Sequence, residues 1–192
     1  MSDRMSPEKL TERSPDRTGD SLKQAARRKL IVEAALECFL QYGVAKTSLD
    51  DIAKRAKLSR PLLYLLFRNK EEVFIETLRT MYKHDVDRAR PVLDEAISDR
   101  EKLIRIYEEL IVKPWARITK HPSGEEFVEQ CHKYFPQLDE EYEKEVLKLL
   151  LPLLKEKETV ELFMLCIDGL YSDNPSVPTL RKRVRLLAER FV

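Results

Sequence analysis

At 192 residues and 22.6 kDa, with 43% hydrophobic and 36% charged residues, the chain can bury the core of one large domain or two small ones, which excludes wholesale disorder. No run approaches the roughly 18 apolar residues of a membrane span, and the charged start MSDRMSPEKLTERSPDR is unlike a signal peptide, so a cytoplasmic protein is expected. The net charge of +1 hides a segregation: residues 1–22 carry −1, residues 23–70 carry +7 and residues 71–192 carry −5, the pattern of a nucleic-acid-binding head on a body with another task.

Residues 1–22 hold almost no large apolar side chains and are expected to form a mobile arm, because they have little to set against the entropy of ordering. A helix follows: Ile31, Ala34, Ala35, Cys38, Phe39 and Tyr42 recur at helical spacing, and Gly43 suits the residue just past its end. Thr47 or Ser48 can cap a second helix, Thr47 with Asp50 forming a capping-box pattern, and Leu49, Ile52, Ala53 and Ala56 face inward. After Lys57-Leu58-Ser59, with Ser59 as N-cap and Pro61 in the first turn, a third short helix runs to Phe67, with Leu63 and Phe67 on its inner side. Two short helices joined by a tight turn make a helix-turn-helix.

A fourth helix, with Phe74, Leu78, Met81 and Tyr82 along one side, is expected to end before Pro91 and to link head to body. The stripe from Leu103 to Ile118 predicts another, bent by Pro114, which cannot donate to the Leu110 carbonyl. Further helices are expected near residues 125–134, 139–155, 158–171 and 176–191, with no strand of useful length. The fold class is therefore all-α: an N-terminal three-helix head over residues 23–70, then a helical body over residues 71–192, to which the resemblance described below assigns ligand binding and dimerisation.

Cys38, Cys131 and Cys166 form no CxxC pair, His84, His121 and His132 are scattered, and no phosphate-loop, dinucleotide or nucleophile-elbow motif occurs. Neither a metal, a cofactor nor an enzyme is expected.

Residues 27–74 resemble the DNA-binding domain of the TetR family of bacterial transcriptional regulators. The resemblance rests on the long first helix ending in YGV, the stretch TSLDDIAKRAKLS, the recognition segment LLYLLF and the following NKEEVF, with a fainter echo in CIDGLY at 166–171. It implies a homodimer inserting two recognition helices into successive major grooves of a palindromic double-stranded operator, and a body responsive to a small-molecule effector, most simply a repressor. The DNA-facing set it implies is Thr47, Ser48, Ser59, Arg60, Pro61, Leu62, Tyr64, Leu65, Leu66 and Lys70. Within it, Thr47 and Ser48 match backbone-contacting hydroxyls, Tyr64 and Lys70 match phosphate contacts, and Arg60 is the candidate base reader, since a guanidinium can bond guanine O6 and N7 together. Leu62, Leu65 and Leu66 make the recognition surface unusually apolar, a fit for thymine methyls. Lys57 stands where the family's turn commonly has glycine, and Asp50 stands where a basic residue is frequent.

Tyr107, Trp115, Phe127, Tyr134 and Phe163 offer an effector pocket opened near Pro114, with core packing the first expectation for each. Val160, Met164 and Ile167 with Leu180, Val184 and Leu187 offer a four-helix dimer interface, or close the monomer core. The alternative to a regulator is an all-helical adaptor whose basic head docks an acidic protein.

Overall fold

The computed structural model describes residues 17–134 and 139–192, with side chains described over 21–134 and 142–192. Most of the expected arm, residues 1–16, lies outside the described residues; its last part, 17–22, does not, because helix α1 spans Arg17–Tyr42 and so begins inside the expected arm. Then come α2 (Leu49–Arg55), α3 (Arg60–Leu66), α4 (Lys70–Ala89) and a 3-10 turn, Arg90–Asp94, built around Pro91. The body continues with α5 (Asp99–Tyr107), α6 (Lys113–Thr119), α7 (Gly124–Tyr134), α8 (Asp139–Leu154), α9 (Lys157–Gly169) and α10 (Val177–Phe191). No strand occurs among the described residues.

Local chemistry sets the boundaries. α1 ends at Gly43, whose φ of +89° is left-handed backbone that a side chain resists. The box at the start of α2 is one residue later than the sequence pattern suggests: Ser48 is the N-cap and Asp51, not Asp50, returns the bond. Thr47 is thereby turned inward, where its hydroxyl donates to the Gly43 carbonyl at 2.7 Å and ties the end of α1 to the start of α2. Between α2 and α3, Lys57 holds φ +56°, the conformation for which glycine is the ordinary choice. Lys57→Gly is therefore expected to stabilise the protein by about 0.5–1 kcal/mol in denaturant unfolding, the relief of left-handed strain exceeding glycine's extra unfolded-state entropy.

Ile31, Ala35 and Phe39 of α1, Ile52 of α2, Leu63 and Phe67 beside α3, and Val73 and Phe74 of α4 fill the head's core. In the body, the bend foreseen at Pro114 is a π-helical turn, Glu108–Val112, in which the Lys113 N–H donates to Glu108 five residues back. This wider register leads directly into Lys113-Pro114, where the proline has no N–H to give. Glu108 in that turn takes a two-pronged ion pair from Arg181 of α10, at 2.7 and 3.0 Å. Asp85 of α4 is buried and paired with Arg88, and desolvation pushes its carboxyl up to about 7.

The aromatic residues do not enclose one chamber. Phe127 and Tyr134 pack with Phe74, Tyr107 packs with Phe163, and Trp115 packs with Tyr171 while its Nε1 donates to the Pro175 carbonyl at 3.0 Å. These three groups are core, as helix faces this apolar must be when neighbouring helices are close. The expected dimer residues are likewise spent inside the subunit. Val160, Ile167, Leu180 and Val184 are buried, and Met164 and Leu187 lean half-buried against the same core.

Head and body are joined at three adjoining points. The Phe74 ring lies edge-on to Phe39 of α1 at 5.4 Å and to Phe127 of α7 at 5.6 Å. The Ser123 N–H donates to the Leu40 carbonyl at 3.1 Å, and Glu126 of α7 accepts from the Ala45 N–H at 2.9 Å. A Cβ on Gly43 would stand 2.1 Å from the Glu126 carboxylate, so glycine serves both the turn and this approach.

Candidate nucleic-acid interface

The short α3 leaves an outer face free because only Leu63 along it is fully buried. Ser59, Arg60, Pro61, Tyr64 and Leu65 are exposed on that face, Leu65 by 77%. Arg60 and Tyr64 lie one turn apart, with the guanidinium 5.5 Å from the ring centre. Arg60 Nε is also 2.9 Å from Asp50 Oδ1 of α2. Tyr64 first and Asp50 second hold the Arg60 guanidinium above its ordinary pKa. Asp50, which the sequence pattern places in a capping box with Thr47, instead orients the leading cation of α3, a contact that no sequence spacing predicts.

The remaining candidates divide. Ser48 is exposed at the α2 N-terminus, but Thr47 is buried and its hydroxyl is committed to the Gly43 carbonyl, so it presents nothing to a partner. Leu62 is half-buried, whereas Leu66 packs on the core and its carbonyl accepts from Arg28 at 2.8 Å. Leu66 therefore belongs to the inner side of α3, three residues after Leu63. Lys70 donates to the Val44 and Ala45 carbonyls at 2.7 and 3.1 Å, which leaves one of its three ammonium hydrogens for an outside acceptor. The residues brought together on one surface are Ser59, Arg60, Pro61, Tyr64 and Leu65, with Ser48 and Lys70 at its margin.

Two short helices set by a tight left-handed turn, the second presenting an arginine, a tyrosine and an exposed leucine, define a helix-turn-helix protein with a helical body. Residues 31–77 match the family of bacterial regulatory proteins, tetR family. The chain is 35% identical over 79 residues to the HTH-type transcriptional regulator YhgD of Bacillus subtilis (strain 168), an alignment covering 41% of each chain. It is 43% identical over 49 residues to a probable acrEF/envCD operon repressor of Escherichia coli (strain K12), covering 26% of this chain and 22% of that one. These alignments span less than half of either relative. Among solved structures, the fatty acid degradation regulator FadR from Bacillus halodurans shares the fold across 93% of this chain and 96% of its own, with a TM-score of 0.66 at 21% identity. The family match thus spans the head and the first turns of α4. No helix among the described residues is long and apolar enough to cross a membrane.

Proposed function

We propose that the protein is a DNA-binding transcriptional regulator without catalytic activity, a homodimeric repressor that leaves a palindromic operator when a small molecule binds its body. The observation that carries this reading is the outer face of α3, where Arg60, Tyr64 and Leu65 stand clear of the core on a head of charge +7. A helix of this width enters the major groove, and a twofold dimer reads half-sites about 34–36 Å apart. Phosphate contacts release counterions, so the full chain's affinity for its operator is expected to fall steeply between about 50 and 200 mM salt. Gel shifts against genomic fragments check this; binding indifferent to salt and to competitor sequence, or capture of acidic protein alone, overturns the reading.

The proposed dimer uses a face other than the one the hydrophobic pattern marks. Leu162 and Leu165 on α9 and Leu186 on α10 point outward, Leu165 by 70%, and a Cβ on Gly169 would meet open space on the same side of α9. Glu161 and Asp168 are exposed on α9 while Lys182, Arg185 and Arg190 are exposed on α10, a complementary pairing for a twofold-related copy. Leu165→Glu is expected to halve the mass seen in sedimentation with little change in far-UV dichroism, because it adds one carboxylate per protomer at a position that is exposed in the single chain and buried only across the proposed dimer axis.

For the body to act on the head, an effector must bind two arrangements of the joint unequally. Phe74, Glu126 and Ser123 form the contacts through which such a preference would pass to α1 and the start of α2.

A further inference from the structure

The core holds α3 along one line. Leu63 is the one fully buried residue of this seven-residue helix, and buried Phe67 follows it four positions on, with half-buried Leu62 and Leu66 to either side. Apolar contact is not directional, so a helix about 10 Å long held in this way can roll about its line of anchorage. A roll turns Arg60, Tyr64 and Leu65 toward or away from whatever α3 faces. The Asp50–Arg60 pair does not prevent it, because it ends on an exposed side chain and not on the α3 backbone.

Arg28 of α1 makes the directional contact that the core lacks. Its Nη1 donates to the Leu66 carbonyl at 2.8 Å, and its guanidinium lies 4.2 Å from the centre of the Phe67 ring. That carbonyl needs an outside donor, since Phe67 turns to extended backbone, φ −140° and ψ 130°, and no further turn of helix follows. Among the described residues, this is the one side-chain hydrogen bond from another helix to the backbone of α3. Periodicity places Arg28 there: it stands three, four and seven residues before the buried Ile31, Val32 and Ala35, on the side of α1 that faces the core. Where that stripe reaches the edge of the head it continues as a half-buried cation, which covers a ring and closes the carbonyl end of α3.

We infer that Arg28 is a positioning residue for sequence reading: it fixes the orientation of α3 about the Leu63–Phe67 line, and so the approach of Arg60 and Leu65 to base edges. The inference rests on the proposed regulator function and adds to it a residue that acts through α3 without touching DNA. A charge-assisted bond to a backbone oxygen resists a roll that apolar packing tolerates.

The test uses the full chain and a duplex that the wild-type protein recovers from a randomised pool, compared with a scrambled duplex of the same length. Arg28→Met keeps helix propensity and an apolar cover on Phe67 but removes donor and charge, whereas Arg28→Lys keeps a cation and a donor. In anisotropy titrations Arg28→Met is expected to lose about tenfold or more in operator affinity, the size of one impaired base contact, and less than about threefold on the scrambled duplex. The ratio of the two affinities is independent of the folded fraction, so a loss of stability alone leaves it unmoved. The slope of log affinity against log salt should stay as in wild type, whereas a lost phosphate contact makes it shallower by about 0.9 per protomer. Arg28→Lys should recover most of the discrimination. Equal losses on the two duplexes, a shallower slope, or an Arg28→Lys variant as poor as Arg28→Met overturn the inference and leave the regulator reading standing. So does an Arg28→Met operator affinity within about twofold of wild type. A pool from which wild-type protein recovers no sequence overturns both.

Discussion

Arg60→Ala is expected to erase most of the protein's preference for its operator over other duplexes while leaving the fold intact. The side chain is 63% exposed, so its removal takes nothing from the core. A bidentate arginine contact to guanine discriminates by about 1–3 kcal/mol, and a twofold dimer counts it twice, so competition titrations should show about 2–6 kcal/mol less discrimination against a scrambled duplex. The substitution has a second effect, because it leaves Asp50 without the cation 2.9 Å away, close to where phosphates approach. Some affinity for every sequence should therefore be lost as well, and Asp50→Asn in the same chain should restore that general part but not the discrimination. Equal losses on operator and scrambled DNA in the double variant would make Arg60 a phosphate contact.

Phe74→Ala is expected to have the largest effect on stability, about 3–5 kcal/mol in urea unfolding. The residue is 1% exposed, and its ring contacts three others with centroids 5.4–5.6 Å away, drawn from α1 and α7. Its loss removes transfer energy, leaves a cavity, and forfeits edge-on aromatic contacts worth about 0.5–1.5 kcal/mol each. Because those rings belong to both head and body, the unfolding transition should also lose cooperativity, with the head melting before the body. A single sharp transition displaced by less than about 1 kcal/mol would mean that head and body are held together elsewhere.

The three-helix head was legible because each of its features is local. The Ile31-to-Phe39 stripe, Gly43 at the end of α1, Pro61 in the first turn of α3, and the inward pair Leu63 and Phe67 are set by neighbours within about a turn of helix. At Lys57 the resemblance to a family whose turn commonly has glycine, and not any local pattern, pointed to the left-handed backbone. The exposed cluster of Arg60, Tyr64 and Leu65 follows from where Leu63 points. The errors came from choices made one residue or one helix away. Ser48 and Thr47 are both competent caps, and only the reach of Thr47 to the Gly43 carbonyl assigns the box to Ser48. On α9, Val160, Phe163 and Ile167 face one side and Leu162 and Leu165 another, and apolar patterning cannot rank two apolar faces.

The amino-acid order alone determined that the described residues form helices and no strand, that a basic head precedes an acidic body, and that α3 carries its arginine and tyrosine one turn apart, since periodicity, capping and charge all act over short distances. Tertiary packing decided the rest. It placed Asp50 against Arg60, spent Leu66 and Thr47 on the interior, dispersed the aromatic residues into three packed groups, and set Glu126 on the Gly43 turn. The physical reason is common to all four: each depends on which elements approach one another, and that is settled by the fit of whole side-chain surfaces from distant parts of the chain.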